Sequence, residues 1–194
     1  MQYFFKHFDN TGIITAKLSD NDLEPIWKEI KEIQSGHSFA FPYNDKLAGN
    51  IEKEYGLTDC KKHIEDIVIR LAMDYDELFH YNRNFDILTR NLPLTLSDLW
   101  VNFMKKNEFN PIHNHSGLYS FVIWMDTPYN IEDELNVPWV KNSNMKLAGH
   151  FAFHFINSVG KISIESIPVD KSYNGTLCLF PSEMYHSVYP FYTS

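Results

Sequence analysis

Apolar residues recur at helical spacing through the first eighty or so positions and at strand spacing through much of the remainder. Leu23, Ile26, Ile30 and Ile33 fall on one face of a helix predicted over 21–34, with Ser19 and Asp20 ahead of it as start signals. Pro25 is tolerated in its first turn, and Gly36 supplies a stop. An irregular aromatic stretch, Phe39 to Tyr43, leads to a short helical candidate from Leu47 to Tyr55, ended by Gly56. From Thr58 the period is helical again: Ile64, Ile67, Val68, Leu71, Tyr75, Leu78 and Phe79 share a face, with Thr58 or Asp59 as the cap. These elements carry no clustered chemistry and read as helices that pack on something else.

After Pro93 the pattern changes. Leu96 to Met104 is rich in strand formers, and its alternation puts Trp100 and Asn102 on one face. Leu118 to Met125 is a near-continuous apolar run, the sign of a strand covered on both faces. A polar insertion with Pro128 and Pro138 runs to about Met145. Lys146 to Phe155, Ile162 to Ile167, Thr176 to Phe180 and Ser187 to Tyr189 are further strands. Asn157 with Gly160, Pro168, Asn174-Gly175 and Pro181 mark the turns. Short strands at this spacing predict a sandwich or small barrel. The expectation is a mainly β, α+β chain forming a single domain over 1–194, with a helical support region at 1–92 and a β core at 93–194.

Composition narrows the class without choosing a function. With 194 residues, 44% hydrophobic and 22% charged, the chain is neither disordered nor collagen-like and can bury a core without disulfides. No run of about 18 apolar residues offers a membrane span. Met1 to Asp9 carries Lys6 and Asp9 with no small-residue cleavage site after it, so no signal peptide is expected. Cys60 and Cys178 are too few for a disulfide framework, which points to a reducing, cytoplasmic setting. The net charge of −8 argues against nucleic acid as a partner.

Nine histidines are the unusual entry in this composition. His113-Asn-His115 places two imidazoles on one face of an extended segment, roughly 6.6 Å apart along a strand. Two such imidazoles can serve one metal ion, although a polar strand end gives the same pattern. Far along the chain, the apolar run Gly175 to Phe180 enters a turn at Pro181 and returns through His186. A third ligand from a distant strand is what a metal site in a β-barrel requires, and the joint occurrence is more specific than either half.

Here the sequence resembles the Fe(II)/2-oxoglutarate-dependent dioxygenases, in particular an uncharacterised prolyl-hydroxylase-like branch of bacteria and their viruses. The resemblance rests on His113-Asn-His115 with the following Gly117-Leu-Tyr-Ser-Phe-Val strand, and on Leu-Phe-Pro-Ser running into His186-Ser-Val-Tyr-Pro190. Trp100-Val-Asn102 and Leu47-Ala-Gly-Asn-Ile51 also fit, so that it covers roughly 47–190. It implies a double-stranded β-helix, a jelly roll like that of cupins, with the metal at one open end. It implies Fe(II), with 2-oxoglutarate and O2 as co-substrates, and hydroxylation of a small-molecule or peptidyl substrate with release of succinate and CO2.

Carried over by position, His113 matches the first metal ligand and His186 the distal histidine. His115 stands where most of the superfamily has a carboxylate. Either His115 ligates, or a nearby acid such as Glu108 or Glu183 does, or the position is open; strand geometry favours His115. The superfamily clamps the distal carboxylate of 2-oxoglutarate with an Arg or Lys after the distal histidine, whereas no basic residue follows Lys171. The sequence therefore reads as short by about one strand, and Asn102 and Tyr119 are the polar groups expected to reach the co-substrate instead.

Two other readings stay open. A cupin-type three-histidine metalloenzyme without 2-oxoglutarate fits Gly175-x5-Pro181-x4-His186, although no Glu follows His115 at the first cupin motif's gap. A β-barrel binding protein with a vestigial site is the other. His7, His37, His63 and His80 read as solvated or hydrogen-bonded, and His150 and His154, four apart, as strand residues outside the site. Trp100, Phe121, Trp124, Phe180, Tyr185 and Tyr189 are core or enclosure, Cys178 a packed small hydrophobe, and Glu132-Asp133-Glu134 a solvated loop.

Overall fold

The computed structural model describes residues 11–36, 41–84 and 93–193; His7, His37 and the start of the aromatic stretch at Phe39 lie outside them. The first helix, α1 (Asp20–Gln34), begins as its sequence predicts, with Ser19 and Asp22 forming a reciprocal capping box. The second, α2 (Lys61–Phe79), also follows the apolar face, but its cap is not Thr58 or Asp59. Cys60 occupies the N-cap without a side-chain bond, and the buried carboxylate of Glu29 accepts from the backbone N–H groups of Thr58, Asp59 and Cys60 at 2.6, 3.1 and 2.8 Å. The anion for the helix start thus comes from α1.

Two strands lie in the N-terminal part: β1 (Ile14–Lys17), which no pattern in the sequence announced, and β2 (Glu54–Gly56). The helix expected over Leu47 to Tyr55 does not form. A single 3-10 turn, Asn44–Lys46, precedes β2, which pairs antiparallel with β3 (Trp100–Asn102) while Tyr55 bridges to Pro42 on the other side. Partners on both flanks outweigh a weak helical spacing in a segment too short to hold a helix alone.

The remaining strands are β4 (Asn110–His113), β5 (Tyr119–Trp124), β6 (His150–Ile156), β7 (Ile162–Pro168), β8 (Thr176–Pro181) and β9 (Tyr185–Val188). They build a three-stranded sheet, β1-β8-β5, and a four-stranded sheet, β4-β9-β6-β7, with every pairing antiparallel. The alternation along β8 shows how the layers stack. Leu177 and Leu179 pack against Ile26, Ile30, Ile64 and Val68 of the helices. Cys178 and Phe180 face Phe151, Phe153 and Ile167 of the four-stranded sheet. The neighbouring strand divides likewise, Phe121 and Ile123 toward the helices, Val122 and Trp124 toward the second sheet. Near-continuous apolar sequence here reports a central sheet covered on both faces.

The insertion folds as two short helices, α3 (Ile131–Asn136) and α4 (Pro138–Lys141). Of its acidic cluster, Glu132 and Asp133 are exposed, but Glu134 is fully buried and accepts from the backbone N–H groups of Tyr192 and Thr193 and from the Thr193 hydroxyl. The cluster is therefore not simply a solvated loop; one of its acids ties the end of the described chain to α3. The strand expected from Lys146 begins only at His150, after a turn through Gly149 at φ +70°. No helix among the described residues is long and apolar enough to cross a membrane.

Candidate metal centre

The antiparallel register of β4 and β9 sets His113 directly opposite His186, and their ring centroids are 4.3 Å apart. His115 reaches the same place differently from the expected shared strand face. The strand ends at His113, and His115 lies in the loop beyond it, its backbone N–H donating to the carbonyl of Ser182 at 3.0 Å. Ser182, fully buried, returns its own N–H to Leu118, and its hydroxyl pairs with that of Ser120 at 2.9 Å. The Pro181-Ser182 turn therefore holds the loop that carries His115. The His115 ring stands 4.9 Å from that of His113 and 5.1 Å from that of His186, and one ligand nitrogen of each of the three lies within 4.8 Å of the others.

The backbone sets the tautomers. His113 Nδ1 lies 2.7 Å from the Pro111 carbonyl, and His186 Nδ1 lies 2.9 Å from that of Met184. A carbonyl only accepts, so each Nδ1 carries the proton and each Nε2 presents a lone pair. His186 is packed between Phe151, stacked on it at 5.4 Å, and Phe180, which meets it edge-on at 4.9 Å. Burial pulls its pKa down to about 3, and burial with the nearby His113 pulls that of His115 down to about 4. Both are neutral at pH 7. Three converging imidazole nitrogens with orienting partners fit a divalent transition metal, iron included.

Neither alternative acid joins this group. Glu108 spends its carboxylate on the backbone N–H groups of Glu52 and Lys105, and Glu183 is exposed. His150 and His154 stay outside it too, with His150 Nδ1 at 2.9 Å from the Ala148 carbonyl and His154 Nε2 at 2.8 Å from the Ser187 hydroxyl. His63 bonds the Asp22 carbonyl and His80 that of Asp76.

The three imidazoles open on a cavity of about 870 Å³ between the sheets and the helical layer. Asn102 and Tyr119 both line it, as do Trp100, Phe121, Trp124 and Phe180, whereas Tyr185 is 52% exposed and outside. The Tyr119 hydroxyl donates to Asn82 Oδ1 at 3.2 Å, and burial holds that phenol well above its ordinary pKa. Trp100 packs its ring 5.6 Å from His115 and stacks on Tyr43 at 5.8 Å. One polar group of this wall had no motif to reveal it. Glu54, 1% exposed, sits opposite Asn102 in the β2–β3 ladder and also lines the cavity.

A family model described as "Putative 2OG-Fe(II) oxygenase" matches residues 98–194, half of the chain and all of the residues that carry the imidazoles. Among solved structures, a crystal structure of a Pseudomonas putida prolyl-4-hydroxylase is similar in fold, with a TM-score of 0.51 at 13% identity over 94% of this chain and 87% of that one. No curated protein matches the sequence.

Proposed function

From the premise that this chain belongs to the 2OG-Fe(II) oxygenase family, we propose that it hydroxylates a substrate at an iron held by His113, His115 and His186. The family brings Fe(II) as cofactor, with 2-oxoglutarate and O2 as co-substrates. Bound iron supplies the redox chemistry that couples decarboxylation of 2-oxoglutarate, to succinate and CO2, with insertion of oxygen into the substrate. The observation that carries the reading is the β4–β9 register, which sets two imidazoles against each other and a third beside them at the mouth of one cavity. On this reading the two antiparallel sheets are the halves of a double-stranded β-helix, and the helices α1 and α2 back its three-stranded side.

The chain's own residues do the positioning. The carbonyls of Pro111 and Met184 orient the His113 and His186 rings and leave each Nε2 lone pair free, the atoms that would hold the iron. Phe151 and Phe180 exclude water from behind His186. Tyr119 is the donor for a co-substrate carboxylate, its hydroxyl exchanging Asn82 for the stronger acceptor. Asn102 offers an amide N–H₂ from the same cavity lining. The substrate is a small molecule or a peptidyl residue, of a size the cavity admits.

Purified protein should form succinate from 2-oxoglutarate only when Fe(II) is added, and should bind 2-oxoglutarate more tightly in its presence. A protein that bound neither would end this reading. The third imidazole in place of a carboxylate favours one other, a three-histidine metalloenzyme that needs no 2-oxoglutarate. Metal-dependent oxidation that ran equally well without the co-substrate would decide for it.

A further inference from the structure

Two buried oxygen atoms in the cavity wall have no hydrogen-bond partner: Oε1 of Glu54 and Oδ1 of Asn102. Native structures leave few such atoms, because a desolvated acceptor without a donor costs as much as the bond it lacks. These two are neighbours, opposite one another in the antiparallel β2–β3 ladder and on the same face of it. A third acceptor lies near the first of them. A Cβ added to Gly49 would collide with the side-chain oxygen of Asn110 and with Oε1 of Glu54 alike, so glycine is what leaves room for both oxygens there. Asn110 belongs to the strand that carries His113 and lines the same cavity.

Among the described residues nothing neutralises this corner. The other oxygen of Glu54 receives only a long bond, 3.4 Å, from the amide of Asn44. Among the described residues that line the cavity, Lys46 is the one Lys or Arg, and it is exposed, its ammonium 4.5 Å above the Tyr43 ring. Glu108, the charge that acts on Glu54, has its own sign. The stacked rings of Trp100 and Tyr43 line the same cavity, with Trp100 beside His115. A carboxylate, two amide oxygens and two aromatic rings lining one cavity are complementary to a cation that carries several N–H groups.

We propose that Glu54, with the side-chain oxygens of Asn102 and Asn110, recognises a protonated amine on the substrate. An ammonium group has three donors; Glu54 and Asn102 face each other across the β2–β3 ladder, and the side-chain oxygens of Glu54 and Asn110 both lie beside Gly49. The cation supplies the hydrogen bonds that Oε1 and Oδ1 lack and the charge that Glu54 lacks. Asn102 keeps its amide N–H₂ for the co-substrate while its oxygen accepts from the amine. The proposal rests on the cavity being the substrate site of the oxygenase proposed above, which the imidazoles and the amine anchor both line.

Binding to the metal-free full-length protein tests this without turnover. The probes are Nα-acetyl-lysine amide and its ω-hydroxy isostere, which differ only in the terminal group, titrated by calorimetry or by NMR shifts. The wild-type protein should prefer the ammonium probe by roughly tenfold or more, the scale of a desolvated charge-assisted hydrogen bond. Glu54→Gln should abolish that preference while keeping its melting temperature and its affinity for Fe(II). Gly49→Ala, which keeps the charge but crowds both oxygens, should also weaken the ammonium probe. Equal binding of the two probes by the wild-type protein, or a preference that survives Glu54→Gln, would overturn the proposal. Failure of the oxygenase reading would show separately, as absent Fe(II) binding with the ammonium preference intact.

Discussion

Where α1 meets the start of α2, the buried carboxylate of Glu29 accepts three backbone N–H groups, whereas on β2 the equally buried carboxylate of Glu54 leaves one oxygen with none. Burial works to raise the pKa of both. At Glu29 the bonds from Cys60, Thr58 and Asp59 outweigh it and hold the acid below its ordinary range. At Glu54 nothing outweighs it, and the charge on Glu108 adds to the rise. Glu134, fully buried yet bonded to Tyr192 and Thr193, belongs with Glu29. The contrast separates polar groups that complete the fold from polar groups that the fold leaves for something else. The Nε2 atoms of His113 and His186 fall on the second side with Glu54.

The largest effect should come from that open side. Replacing His113 or His186 with Ala removes a ligand and should cost roughly a hundredfold or more in Fe(II) affinity, since even the loss of an orienting partner costs 10- to 100-fold. Anaerobic titration with Fe(II) measures this. If either variant kept wild-type iron content, the cluster would not be the metal site and the barrel would be a binding protein with a relic of one.

Next in size is the acid sensitivity of the metal-free protein. The unfolded chain takes up protons on histidine below about pH 6.5, whereas folded His115 and His186 refuse them until about 4 and about 3. The unfolded state therefore binds more protons in that window, and folding stability should fall as pH drops from 6.5 toward 4. Urea denaturation of chelator-treated protein across pH 4–7 reads the slope. His186→Phe, which suits the Phe151 and Phe180 surroundings, should flatten it. An unchanged slope would mean that the buried imidazole is not what the acid titrates.

The satisfied side breaks through Glu29. Glu29→Ala leaves three N–H groups at the start of α2 without an acceptor and should cost about 3 kcal/mol, a drop in Tm of roughly 6 to 12 °C. Because its folded pKa is depressed, the stability Glu29 gives is present above the ordinary carboxylate range near pH 4.5 and is lost as pH falls through the folded value. Wild type and variant should thus converge in acid, and a difference as large at pH 3 as at pH 7 would show that packing, not the carboxylate, caused the loss.

How much of this was legible depends on how local each signal is. The imidazoles were, because one motif holds two of them and the Pro181 turn leads to the third; the helical faces of α1 and α2 were, because their apolar spacing repeats over several turns. The β5 run also read correctly, since two-sided burial leaves an unbroken apolar stretch in the sequence itself. Glu54 was invisible for the opposite reason. Its segment carries a weak helical spacing, and only pairing with Trp100–Asn102, far along the chain, turns it into a strand and buries it. Glu29 looked like an ordinary polar position of an amphipathic helix until the N-terminus of α2 came to rest on it. His115 was found for a partly wrong reason: it joins His113 through a loop held by Ser182, where an extended strand was expected.

The smallest expected effect is the sharpest for the contrast, because it applies one substitution to both carboxylates. Glu29→Gln keeps the shape but turns an N–H₂ toward backbone donors, and should cost about 1 to 2 kcal/mol. Glu54→Gln removes a buried charge that lacks a partner, and should leave stability within about 0.5 kcal/mol of wild type or raise it, as at sites selected for binding over stability. The pH dependence should also have opposite sign. An acid whose folded pKa is raised binds its proton more tightly in the native state, so wild-type Glu54 loses the protein stability as pH rises from the ordinary carboxylate range through the folded value. The relative gain of Glu54→Gln should therefore be larger at pH 7.5 than at pH 4, where the loss from Glu29→Gln is smallest. Paired urea melts of the two variants at both pH values measure it. If Glu54→Gln destabilised as much as Glu29→Gln at pH 7.5, Glu54 would belong to the fold after all, and its open oxygen would be a structural acceptor waiting for no ligand.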